Sequence, residues 1–164
     1  MKRPRGYFSG WGRHGSRKAM GWAVFLAGTL AWSGLAAGQE DRPECPQPRF
    51  TERAPDDYYS RINPLEPTAE NLKKGRLLYM VRAKPMPCKH CHGIDGDGRG
   101  PMARGFHPPP RNFTCAETIR GVPDGQLFWI IQNGSPGTGM IAFKSLKEEQ
   151  IWQIILYLRQ LAQL

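Results

Sequence analysis

Apolar positions fall into four groups separated by polar, glycine-rich or proline-rich stretches, and three of the groups repeat at helical spacing. In the last group, Lys147 to Gln163, residues Ile151, Trp152, Ile154, Ile155, Leu158 and Leu161 form one stripe, with Glu148 and Glu149 early and Arg159 late. Acids at the first turn and a base near the end suit the helix dipole, so a helix is predicted there. Further upstream, Pro67-Thr68-Ala69-Glu70-Asn71-Leu72 supplies a capping residue and an acid, and Leu72, Leu77, Leu78, Met80 and Val81 carry the pattern to Arg82. This predicts about four turns, stopped by Lys84-Pro85-Met86-Pro87. Gly75 and Tyr79 share a face of that helix. Glycine at such a position costs about 1 kcal/mol of helix stability, which implies that something packs closely against it. A two-turn helix is predicted over Asp124 to Gln132, ended by Asn133-Gly134.

The first apolar group has a different character. A basic segment to Lys18 precedes the apolar run Gly21 to Trp32, and small residues at Gly34, Ala36, Ala37 and Gly38 come just before Glu40 and Asp41. This is the layout of an export signal cleaved after Gly38, so residues 1–38 are read as a signal peptide. The rival is an uncleaved anchor, because Ala19 to Gly38 just covers a bilayer. Either way the rest of the chain is delivered to the periplasm. Residues 39–66 are polar and interrupted by Pro43, Pro46, Pro48, Pro55 and Pro64. They read as an extended arm on the domain, with Tyr58, Tyr59 and Ile62 as docking residues, or as a floppy linker. The working domain is then 67–164, near the usual size of a single core.

Charge changes the picture only once it is divided. Residues 1–38 hold 6 of the 23 basic residues and no acid, leaving 17 basic against 14 acidic residues, a net of +3. The high pI therefore describes the leader, and nucleic-acid binding loses its main support.

The chemistry lies in Cys88-Lys89-His90-Cys91-His92. C-x-x-C-H is the pattern for covalent haem attachment. Each thiol adds across one vinyl group of the porphyrin, and the adjoining His92 is carried under the iron. A zinc site would need further Cys or His at comparable spacing, and the chain offers only His14, His107 and lone cysteines. The glycine-rich run His92 to Pro101 reads as a tight loop beside something bulky, and 104–114 as a proline-stiffened loop. Asp95, Asp97 and Gly98 match only part of a calcium loop. Met140, 48 positions after His92, is presented by the turn Ser135-Pro136-Gly137-Thr138-Gly139 and suits a second iron ligand. Taken alone, it reads equally as an apolar plug beside Ile141 and Phe143.

Taken together, these pieces resemble a class I mono-haem cytochrome c domain of the bacterial periplasmic kind. The resemblance rests on Gly75 and Tyr79, Cys88 to Gly93, Asp95 to Pro101, Gly134 to Met140 and Trp152 to Leu158. It implies an all-α cytochrome c fold of three to four helices around one haem c, with first and last helices crossing near Gly75 and Tyr157. It further implies that Cys88 and Cys91 are the thioether anchors and His92 and Met140 the axial iron ligands. Pro101 would offer its carbonyl to the other nitrogen of His92. Family members often carry proline after the methionine, whereas Ile141 stands here, so a looser turn is expected. Arg111 reads as a partner for a haem propionate or as a solvated loop arginine.

Two cysteines remain, Cys45 and Cys115. In an oxidising compartment an even remainder suggests a disulfide stapling the arm to the loop after Asn112. With iron held on both sides no site is open for substrate, so the expected role is a one-electron carrier and not an enzyme. Its partners would be a dehydrogenase, a quinol-oxidising complex or a terminal oxidase, with a membrane involved only if the leader is uncleaved. The alternatives are a haem subunit of a larger oxidoreductase, or a haem protein whose axial Met140 gives way to a small ligand.

Overall fold

In the computed structural model, which describes residues 45–48 and 50–163, every regular element is helical. The elements are α1 (Asp56–Tyr59), α2 (Ala69–Leu77), a π-helical turn (Leu78–Arg82), α3 (Lys89–His92), α4 (Ala116–Arg120), α5 (Asp124–Asn133) and α6 (Glu148–Leu161). The signal-peptide or anchor expectation for 1–38 lies outside the described residues. Among those described, no helix is long and apolar enough to cross a membrane.

The three helices anticipated from periodicity carry the core. Thr68 caps α2, its side chain accepting from the Asn71 amide at 3.2 Å. The four-turn helix expected to Arg82 instead widens after Leu77 into the π turn, closed where the Ala83 amide donates to the Leu78 carbonyl at 3.0 Å. At the start of α6, the Lys147 amide donates to Gln150 Oε1 at 2.9 Å. The α6 stripe is buried from Ile151 to Leu158, far beyond what one apolar face requires, because α2 and α5 both pack against it.

Gly75 explains how closely α2 and α6 cross. A Cβ there would run into the Gln153 carbonyl of α6, and Tyr157 lies just beyond. Only glycine lets the two backbones approach so near. Next to the crossing, the buried Tyr79 meets Tyr157 edge to face at 5.3 Å and donates to the Gly93 carbonyl at 2.8 Å. On the other side Phe128 of α5 packs on Trp152 of α6, centroids 4.5 Å apart. Truncating a buried Phe of this kind costs about 3–5 kcal/mol. Arg159 of α6 binds Asp124 Oδ1 through Nε at 2.9 Å and the Ile119 carbonyl at 2.6 Å, tying down the end of α4.

The segment before α2 lies on the domain but is not extended throughout, since α1 forms within it. Tyr58 packs near Phe128, with centroids 6.2 Å apart, and Tyr59 sits under the Arg53 guanidinium at 3.9 Å. Ile62 corrects the expectation that it docks: it is 84% exposed. Its neighbours turn inward instead. Arg61 lies over the Phe128 ring at 4.2 Å and Asn63 donates to the Trp152 carbonyl at 3.0 Å, which points the intervening side chain outward. Gln126, fully buried in α5, accepts from the Ala54 amide at 2.7 Å and donates to the Glu52 carbonyl at 3.0 Å. At the arm's beginning a disulfide joins Cys45 to Cys115, Cα atoms 5.7 Å apart.

Candidate functional site

Cys88 caps the one-turn helix α3 and Cys91 lies within it, three positions on, so both thiols face one side of the turn. They are the free cysteines among the described residues. Burial pushes the Cys88 thiol up to about 12 and raises Cys91 in the same direction, so both are neutral thiols in the unmodified chain. His92 ends the turn, its amide donating to the Cys88 carbonyl at 2.9 Å. It is only 8% exposed and stacks on Phe113, centroids 4.5 Å apart.

Burial lowers the His92 pKa to about 4, so its imidazole is neutral at ordinary pH. Its Nδ1 lies 3.0 Å from the Arg111 carbonyl. A carbonyl only accepts, so Nδ1 carries the ring proton and Nε2 keeps its lone pair. That is the tautomer a metal ligand needs.

The oxygen on Nδ1 corrects the expectation for Pro101, which is exposed. The reason lies in the path of two glycines. Gly100 crosses directly over α3, its amide donating to the Cys91 carbonyl at 3.0 Å and that of Met102 to the His90 carbonyl at 2.8 Å. This leaves Pro101 against the His90 side. Gly98, at φ +83°, lets the 110–112 strand of backbone close in, since a Cβ there would lie 2.6 Å from the Pro110 carbonyl. Arg111 is thereby brought to the imidazole. The Arg111 guanidinium is itself held by the Gln47 and Pro48 carbonyls, each at 3.2 Å.

Met140 is presented by a self-bonded turn. The Thr138 hydroxyl donates to the Ser135 carbonyl at 2.8 Å and accepts from the Met140 amide at 3.1 Å, while the Ser135 amide donates to the Met140 carbonyl at 3.1 Å. Met140 is half-buried against the core, and Ile141 after it is exposed.

Cys88, Cys91, His92 and Met140 all line one cavity of about 750 Å³, with Phe113, Leu127, Ile131, Phe143 and Leu158 among its apolar walls. That volume is in the range of cofactor sites. The cavity lining is mostly apolar, which suits a large apolar group. Two adjacent thiols, a neutral imidazole with a free lone pair and a thioether are the donor set of haem c, so the residues fit that group.

Sequence reasoning missed Gln47, Pro48, Phe50 and Thr51, which also line the cavity. Their signal was weak, for they sit in a proline-rich stretch without periodicity.

Comparison with known proteins bears on the same residues. The family model for Cytochrome c matches residues 72–162, from α2 to just past the end of α6. No curated protein matches the chain in sequence. Among solved structures, a chain of the Kuenenia stuttgartiensis reducing HAO-like protein complex is similar, 28% identical with a TM-score of 0.51. The match covers 60% of this chain and 46% of that one, so this protein spans under half the length of its structural relative. Matched over more than half its length, with both thiols, the imidazole and the thioether around one apolar cavity, the chain belongs to the cytochrome c family.

Proposed function

We propose that the protein is a one-electron carrier with a single haem c, anchored by thioether bonds at Cys88 and Cys91 and held axially by His92 and Met140. The single observation that carries this reading is the convergence of those four side chains on one apolar cavity. A haem c bound there supplies a reversible one-electron change of the iron's oxidation state. The chain's own residues do the rest. Arg111 holds the His92 proton on Nδ1 and makes the ring a better donor. Phe113, Leu127, Ile131, Phe143 and Leu158 exclude water, which favours the less charged ferrous state. The Thr138 and Ser135 bonds fix where Met140 stands. With His92 and Met140 both holding the iron, no coordination site would be left for substrate. Lys84, Arg99 and Arg104, all exposed, would draw acidic redox partners toward the site, an attraction that salt weakens. Delivery to the periplasm rests on the leader-like pattern of residues 1–38.

A second reading has one observation in its favour. The structural relative is a chain of a reducing protein complex, and the alignment leaves over half of it unmatched. On that reading this protein is the haem subunit of a larger oxidoreductase, passing electrons to or from a bound partner.

The test is the purified, matured protein. Acid–acetone should leave the pigment on the polypeptide, at one haem per chain, and potentiometric titration should give one reversible one-electron wave. Pigment that extracts freely would overturn the proposal. Co-purification with a stoichiometric partner would favour the subunit reading.

A further inference from the structure

The arm residue Gln47 hydrogen-bonds to each of residues 110–112, the segment that carries the Arg111 carbonyl. Its side-chain amide donates to the Pro110 carbonyl at 3.3 Å and its Oε1 accepts from the Asn112 amide at 2.6 Å. Its own carbonyl accepts from the Arg111 guanidinium at 3.2 Å, and its amide donates to Thr118 Oγ1 at 3.0 Å. One side chain thus grips the peptide on each side of Arg111, and one main-chain carbonyl grips Arg111 itself. The disulfide from Cys45 to Cys115 fixes the arm two residues earlier. The Arg111 carbonyl faces His92 Nδ1 at 3.0 Å.

We infer that Gln47 is a positioning residue for the iron site, setting through the 110–112 backbone how strongly His92 donates to the metal. The inference rests on the proposed ligation by His92 and adds to it an outer contact made from beyond the matched family region, which begins at residue 72. A carbonyl held close to Nδ1–H makes the imidazole more basic and favours ferric iron. Releasing the grip lets the carbonyl withdraw and favours ferrous iron.

The exchange of the His92 Nδ1–H separates this from a merely structural role. Gln47 also lines the cavity. If it served only as wall, an apolar side chain of the same length would favour ferrous iron by drying the cavity and leave the Nδ1–H exchange unchanged. Loss of the grip raises the potential and the exchange rate together.

The experiment uses Gln47→Met in the full-length holoprotein, which keeps side-chain length and apolar stem while removing both amide bonds. The expected result is a three- to tenfold shift of the ferric/ferrous ratio toward ferrous at fixed ambient potential, an upward shift of about 30–60 mV at 59 mV per tenfold. The Nδ1–H of His92, followed by NMR in the ferrous protein labelled at histidine nitrogen, should exchange with solvent faster. Asn63→Ala, which removes a bond to the Trp152 carbonyl away from this segment, should lower stability and leave the potential alone. Should Gln47→Met fail to mature, Gln47→Asn carries the same test, since an amide one methylene shorter does not span both Pro110 and Asn112. An unchanged or lowered potential, or an unchanged exchange rate, overturns the inference. A wild-type protein whose ferrous spectrum lacks a histidine-ligated haem overturns the underlying ligation instead.

Discussion

The two walls that meet across the cavity are built differently. The His92 wall is knitted from four separate stretches of chain: α3, the glycine loop, the 110–113 segment and the arm. It is crossed by hydrogen bonds between residues far apart in sequence, such as Phe113 to Gly96 at 2.6 Å and Asn112 to Gln47 at 2.6 Å. The Met140 wall is chiefly one local turn whose internal bonds span a few residues, joined to the core where the Phe143 amide donates to the Ile131 carbonyl at 3.0 Å and to the arm by a side-chain bond between Thr51 Oγ1 and Ser135 Oγ at 2.6 Å. Long-range bonding makes a wall that opens only when much of the domain opens, whereas a local turn opens by itself. On the proposed reading, His92 is the fixed ligand and Met140 the one that yields.

The largest effect should come from the fixed side. His92→Ala is expected to abolish accumulation of the pigmented holoprotein, because the imidazole and its carbonyl partner organise the whole wall. Comparing absorbance per mole of chain against wild type checks this, and a fully pigmented variant would break the contrast. Next, the disulfide closes a span of 70 residues and, by chain entropy, its removal in a Cys45→Ser/Cys115→Ser double variant should cost about 4 kcal/mol in denaturant unfolding. The loss should fall chiefly on the arm and the His92 wall, with the 134–140 turn, which meets the arm at Ser135, affected less in hydrogen exchange.

Met140→Ala tests the yielding side. It should leave the thioether-bound pigment in place, convert ferric iron to a form that binds cyanide rapidly, and lower stability by only about 2 kcal/mol, since the side chain is half-buried. A variant that loses its pigment would put the two walls on an equal footing. The smallest effect concerns pH. Burial holds the Tyr79 hydroxyl well above its ordinary pKa of 10, and the phenol donates to Gly93 next to His92. The unfolded chain ionises this group near pH 10 while the folded chain keeps the proton. Stability is therefore full below pH 10 and falls as pH rises further, by about 1.4 kcal/mol at about pH 11. Tyr79→Phe should remove that part of the alkaline loss, as read from denaturant midpoints.

What could be read from the chain follows the same division. Helical periodicity located α2, α5 and α6, because burying an apolar stripe leaves a mark at every third or fourth residue. The thiol pair and the adjacent histidine are legible because their chemistry fixes residue type and spacing together. Cysteine parity pointed to the pair that the structure joins. The partner of His92 was not legible, since a backbone carbonyl carries no residue signature and any of several could have arrived there. Gln47 and Gln126 were hidden for a related reason: a lone polar residue in a proline-rich or apolar stretch looks solvated until the chain folds back on it. One-turn helices such as α1 and α4 are too short to show a period, and the π turn differs from an α-helix by a single residue that no apolar pattern records.

The proposed function requires one iron held from both walls at once. An optical spectrum of the ferric protein at neutral pH, taken before and after adding cyanide, tests this directly. The predicted result is a low-spin spectrum with the weak charge-transfer band of a methionine sulfur on iron at its red edge, bleached only slowly by cyanide. A high-spin ferric spectrum that binds cyanide at once would contradict it.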